Sequence, residues 1–323
     1  MRRREFISLV GGVAVWPIAA RAQQPTMPVI GLLNNGSQRA EFLAGFRNGL
    51  KEAGYVEGQN LTIEFRYADG RYDQLPVLAA DLARRHVRVI GTVGLAATLA
   101  ARSAATSTPI VFISATDPVK DGLVASIARP GGYLTGVSNL NAQMVQKRLE
   151  ILREALPDAT VIGLLVNPTN PNTEENLIEA QEAARLMGRK LLVVKASAAS
   201  DFIAAFDILV QQRAGALVIA GDPFFYSKSE QLAELTVHHS IPAIYQLRDF
   251  AVAGGLFSYG ASLADAFRLM GIYVGRIIKG DKPSELPVQQ QTNYDLVINL
   301  KTAKALGLNI PLPLIGRANE VIE

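Results

Sequence analysis

Apolar positions fall along this chain in two alternating patterns. Short unbroken runs, such as VIGLL at 29–33 and VIGLLV at 161–166, have the form of parallel strands covered on both faces. Between such runs, apolar residues recur every three to four positions. Phe42, Phe46 and Leu50 mark one helix, which Gly54 ends as a C′ residue. Leu177, Gln181, Ala184 and Met187 mark another, ended by Gly188. The whole pattern is written twice. PVIGLLNNGS at 28–37 returns as TVIGLLVNPT at 160–169, VRVIGTV at 87–93 as GALVIAGD at 215–222, and STPIVFISATD at 107–117 as SIPAIYQLRDF at 240–250. Two copies about 130 residues apart mean a duplicated domain, since a solenoid would need more and shorter repeats. Strand–helix alternation within each copy predicts an α/β protein of two doubly wound parallel-sheet lobes.

The last part of the chain is too short for a third lobe. Residues 264–279 predict one helix, with Phe267, Met270, Gly271 and Val274 as its buried stripe, and 295–308 a strand and a short helix. The chain is therefore expected to return to lobe one and then to lobe two, crossing near 135–141, 249–257 and 286–292. Lobe one would be 28–138 plus 255–287, and lobe two 139–254 plus 288–323. Gly254-Gly255 would suit a hinge.

The N-terminal stretch changes the reading of charge. Arg2, Arg3 and Arg4, an apolar run from Phe6 to Ala20, and Ala20-Arg21-Ala22 have the three parts of a secretory signal, with cleavage before Gln23. Arg3-Arg4-Glu5-Phe6-Ile7 also resembles a twin-arginine export signal. Residues 1–22 hold four of the chain's 32 basic side chains and one of its 29 acidic ones, leaving 28 of each. The mature chain is thus formally neutral, which gives nucleic acid no basic surface to bind. The chain has no cysteine, so disulfides, thiol catalysis and a Cys-linked lipid anchor are excluded. A free periplasmic monomer is expected.

In open α/β sheets a ligand lies beyond the carboxyl ends of the strands, and two lobes would set those ends face to face. The loops there nominate Asn34, Ser37, Thr92, Gly94, Thr116, Asp117, Asn167, Asp222 and Phe224, with Tyr259 after the second crossing. Helix N-termini after Ser37 or Gly94 would offer N–H groups to a carboxylate. Asp117 or Asp222 could receive an ammonium, and the aromatics could stack on an apolar ligand body. Asp117 and Asp222 each precede proline, so both are also good turn and cap residues. Of Phe224 and Phe225, only one is expected to face the cleft. His86, His238 and His239, the three histidines, lie in sequence on the helix side of the repeat, away from these loops. No metalloprotease, nucleophile-elbow, P-loop or dinucleotide motif occurs. No catalysis, cofactor or metal is expected.

Longer blocks carry a resemblance. GFRNGLKEAGYVEGQNLTIEFRYADG, PIVFISATDPVKDGLVASIARPGGYLTGVS, IGLLVNPTNPN and LVINLKTAKALGLNIP resemble the ABC transporter substrate-binding family that includes tryptophan- and tyrosine-type uptake proteins. The resemblance runs from about Pro28 to Glu323. It implies a type I periplasmic binding protein fold with three crossings, and capture of a small solute for a membrane permease and its ATPase. Several members of the family bind aromatic amino acids. The motifs carry over Thr92, Thr116, Asp117, Asn167 and Asp222 as site positions. Three places depart from the family pattern: Thr92-Val93-Gly94-Leu95, Tyr133 after the RPGG block, and Phe224-Phe225-Tyr226, where many relatives have small polar residues. These changes lie where ligand identity would be decided, so the amino-acid specificity does not carry over. The expected function is the periplasmic solute-binding component of an ABC importer, taking an amino acid or another aromatic or carboxylated compound. The alternatives are a ligand-presenting sensor for a membrane receptor and, further off, a cleft hydrolase.

Overall fold

A computed structural model of the protein describes residues 27–323; the export signal and its cleavage site lie outside the described residues. The first copy of the repeat forms β1 (Val29–Asn34), α1 (Ala40–Glu52), β2 (Thr62–Tyr67), α2 (Leu75–Arg84), β3 (Ile90–Val93), α3 (Leu95–Ala104), β4 (Ile110–Ser114) and β5 (Leu134–Ser138). The second forms α4 (Val145–Ala155), β6 (Val161–Val166), α5 (Thr173–Leu186), β7 (Lys190–Lys195), α6 (Asp201–Gln211), β8 (Ala216–Ile219), α7 (Pro223–Ser227), α8 (Ser229–His238), β9 (Ala243–Tyr245), α9 (Arg248–Val252) and β10 (Phe257–Gly260). The remainder supplies α10 (Leu263–Ile278), β11 (Gln289–Gln290), β12 (Asp295–Asn299), α11 (Leu300–Ala305), α12 (Leu312–Ile315) and β13 (Glu320–Ile322).

The duplication is visible in the strand order. One sheet runs β11-β5-β4-β3-β1-β2 and the other β13-β12-β10-β9-β8-β6-β7. In each, the five strands of the copy pair in parallel in the same permuted order. This order puts β10 in the second sheet as the counterpart of β5, although the sequence places 255–287 in lobe one. β11 pairs with β5 in the first sheet, where lobe two had been expected. The second and third crossings therefore fall at 261–262 and 291–294. Gly254 (φ +105) makes a turn between α9 and β10 instead of a hinge.

The apolar runs became strands because both faces are covered. Ile30, Leu32 and Leu33 of β1 and Leu164, Leu165 and Val166 of β6 are fully buried. The return helix α10 covers lobe one against α1, and four glycines set how close the two helices lie. A Cβ on Gly45 or Gly49 of α1 would overlap the backbone carbonyls of Ala264 or Arg268; one on Gly271 or Gly275 of α10 would overlap the Phe46 carbonyl or the Ala53 side chain. Glycine lets the two backbones touch, which fixes Phe42 of α1 and Phe267 of α10 at the inner edge of the lobe. Among the histidines, His86 and His238 are exposed, while half-buried His239 stacks on Phe206 at 5.4 Å.

Candidate functional site

The carboxyl ends of both sheets open onto one cavity, walled by both lobes and by the first crossing. Lobe one contributes the loop after β1 (Asn34, Asn35, Ser37), the start of α3 (Gly94, Leu95), and Phe42, Tyr72 and Phe267. Lobe two contributes Asn170, Asn172, Asp222, Tyr226, Gln246 and Leu247, and the first crossing Asn139 and Asn141. The lobes are closed on each other. Tyr72 donates its hydroxyl across the cleft to Asp222 at 3.0 Å. Arg39 donates to the Tyr226 carbonyl at 3.0 Å, with its guanidinium 4.5 Å from the centre of that ring. Phe42 stacks on Tyr226 at 5.6 Å and on Phe267 at 5.2 Å, so one aromatic layer spans both lobes. Tyr226 donates to Asp249 at 2.6 Å, with Glu41 of the other lobe 3.2 Å away.

Asp222 is the charged centre of the lobe-two wall and is 3 % exposed. One carboxylate oxygen accepts from Asn167 (3.1 Å) and from the backbone N–H groups of Phe224 (2.9 Å) and Phe225 (3.3 Å). The other accepts from Tyr72 and from Asn170 (2.8 Å). Asp222 thus caps α7 and anchors the loop after β8 together. Burial pushes its carboxyl above the usual range, opposed by these hydrogen bonds. Burial and the neighbouring Asp222 charge push the Tyr72 phenol well up.

The family model of ABC transporter substrate binding proteins matches residues 29–322. The chain belongs to that family. This substrate-binding protein is 24% identical over 264 residues to the "Tyrosine-binding protein" of Clostridioides difficile (strain R20291), covering 82% of this chain and 76% of the relative. A solved structure of a conserved domain protein from Vibrio cholerae matches with a TM-score of 0.84 and 26% identity, over 91% of this chain and 99% of the other. The structure of an ABC domain in complex with L-Trp from Streptococcus pneumoniae shares the fold, with a TM-score of 0.82, 24% identity and the same coverage.

Of the positions nominated from the sequence, Asn34, Ser37, Gly94 and Asp222 line this substrate-binding protein's cavity. Six others do not. Thr92 lies buried within β3, hydrogen-bonded to Thr98 at 2.9 Å. Thr116 is buried between Ser114 and Asp121. Asp117 closes its own turn by accepting from Val119 N–H at 2.9 Å. Asn167 stands behind Asp222, holding it. Phe224 packs on the core residue Phe202 at 5.5 Å, Phe225 fills the core, and Tyr226 takes the cleft position. Tyr259 stacks on Tyr294 at 6.0 Å.

Several lining residues escaped the sequence reading. Phe42 and Phe267 looked like ordinary core positions on amphipathic helices. Tyr72 follows β2, a strand whose loop the repeat did not single out. Asn139 and Asn141 lie in a segment read only as a crossing. The signal that was present is compositional: NN at 34–35, NLN at 139–141 and NPTNPN at 167–172 concentrate asparagine at strand ends.

Proposed function

We propose that this chain is the exported solute-binding component of an ABC importer, closing its lobes on one small amino-acid-like solute and presenting the closed form to a permease. The observation that carries this reading is the cavity walled by both lobes and sealed by Tyr72–Asp222 and Phe42–Tyr226. A contact made only in the closed form lets a ligand shift the open–closed equilibrium. The tyrosine-binding and L-Trp-bound relatives support an amino acid as the solute. The amide-rich walls and the aromatic layer are compatible with both its polar and its apolar parts. The chain acts by binding, without catalysis. The sequence-derived signal supports delivery to the periplasm, where the capture would take place.

The test is a thermal-shift screen of the purified chain with the standard L-amino acids, followed by calorimetry on those that bind. A ligand that binds the folded state raises Tm with concentration. One-to-one binding with a compaction of the protein in small-angle scattering is expected. A chain that binds no amino acid and does not change shape would refute the reading.

A further inference from the structure

A second groove runs between the lobes beside the cavity, and the two share only Ser37 among their lining residues. Lobe one supplies Ser37, Gln38 and Arg39, which lead into α1; lobe two supplies residues 227–231, where α7 passes into α8. With walls from both lobes, the groove exists as a pocket only while the cleft is closed. Its polar groups are mostly donors. Arg39 and Lys228 bring one cation from each lobe. Arg39 spends one N–H on the Tyr226 carbonyl, and neither cation pairs with a carboxylate of the described residues. Glu230, the one acid in the lining, is exposed, and Glu41 of α1 is turned to the Tyr226 hydroxyl at 3.2 Å.

The start of α8 adds uncharged donors. Lys228 is its N-cap residue and no side chain caps the helix, so the N–H groups of the first turn are open to a partner. Ser229, the first residue of α8, is 6 % exposed and lines the groove, yet its hydroxyl has no hydrogen-bond partner among the described residues. Ser227 differs, donating to the Phe224 carbonyl at 2.7 Å. A buried hydroxyl left unpaired is costly, and closing the cleft brings two like charges toward one another. One kind of molecule removes both costs, a small anion with several oxygens.

We propose that this groove is a second binding site, separate from the solute cavity, for one small oxyanion of the class of inorganic phosphate or sulfate. Arg39 and Lys228 take its charge from the two lobes, and the Ser229 hydroxyl and the first turn of α8 donate to its oxygens. The anion bridges the lobes, so it binds the closed form alone. It therefore shifts the equilibrium toward closure and raises the affinity for a solute in the cavity, and the solute raises the affinity for the anion by the same factor. The inference rests on closure of the lobes and not on the identity of the solute.

The experiment titrates the chain, without solute, with sodium phosphate by calorimetry and follows its size by small-angle scattering, against sodium chloride at equal ionic strength. One phosphate per chain and a smaller radius of gyration in phosphate are expected. Lys228→Met and Ser229→Ala should each weaken phosphate about tenfold, the scale of one charge-assisted hydrogen bond. Lys228→Glu puts a carboxylate beside Arg39 in place of the anion, and should be compact in chloride and indifferent to phosphate. With an amino acid that binds, saturating phosphate should lower its Kd about tenfold in the wild type and leave it unchanged in Lys228→Met. Identical behaviour in phosphate and chloride would overturn the inference. So would phosphate binding without compaction, phosphate binding kept in full by Lys228→Met, or a phosphate-induced rise in the amino acid's Kd, which would put the anion in the solute cavity. A chain that binds no amino acid would refute the capture reading and leave this test standing, because its first two measurements need no solute.

Discussion

Replacing Tyr72 by Phe removes one oxygen and leaves the ring in place. That oxygen belongs to lobe one and donates to a carboxylate of lobe two, so the contact exists only when the cleft is shut. A hydrogen bond to a charged group contributes about 1.5–3 kcal/mol. Asp222 keeps four other donors when Tyr72 is lost, so it is not left bare, and the effect should fall at the low end of that range. A loss of about 1.5 kcal/mol from the closed form alone is roughly a tenfold rise in Kd. It should come with little change in Tm, because the lobes themselves keep their cores. Calorimetry on the wild type and on Tyr72→Phe gives the first number and calorimetric unfolding the second. Small-angle scattering without ligand should show the variant more open. An unchanged Kd with a lowered Tm would refute the argument, since it would make the contact part of the fold. Tighter binding by the variant would refute it differently, by showing that the hydroxyl competes with the ligand for Asp222.

Three further outcomes follow from the structure. Gly49→Ala drives a methyl into the Arg268 carbonyl and should lower stability by about 1–3 kcal/mol in urea denaturation, a typical overpacking cost. Leu140, in the first crossing, has a left-handed backbone (φ 49°, ψ 22°), which costs a branched side chain on the order of 1 kcal/mol; Leu140→Gly should recover part of this, seen as a higher urea midpoint. Asp201 accepts from the N–H groups of Ser197 and Ala198 (2.8 and 2.9 Å), which hold its carboxyl below the usual range. A group depressed in the folded state contributes stability above its unfolded value near pH 4 and loses it as pH falls through the folded value. Asp201→Asn should therefore show a shallower fall of Tm on acidification below about pH 5 than the wild type.

The lobes were legible because parallel strands covered on both faces leave a local signature, and duplication let one copy vouch for the other. The boundaries were not, because which sheet a strand joins is decided by its neighbours. Phe257–Gly260 carries no mark that it pairs with β9 and β12. The site was half legible for a related reason. Asp222 stands next to a strand end and a proline, and both are visible in sequence. Whether a polar residue at a strand end faces the cleft or serves its own turn depends on side-chain direction. Asp117 and Asp222 have the same Asp-Pro spelling, yet one closes a turn and the other reaches across to Tyr72. The burial of Arg148 in α4, behind the first crossing, carried no mark either, since on an amphipathic helix an arginine reads as a solvated face, and here it donates to backbone carbonyls brought in from residues 141 and 259.

The return of α10 to lobe one also orders events during synthesis. The helix seated on the glycine face of α1 is made only after all five strands of the second copy, and the edge strand β11 comes later still. Until then a ribosome-bound lobe one carries Phe42, Phe46 and Leu50 without their cover. These residues are buried in the finished protein, packed in one core with Phe267, Met270 and Val274. An N-terminal fragment ending before residue 263 would keep that apolar strip open and be prone to aggregate. The two lobes, though separately built, are therefore bound to mature as one unit, completed by the segment from Leu263 onward.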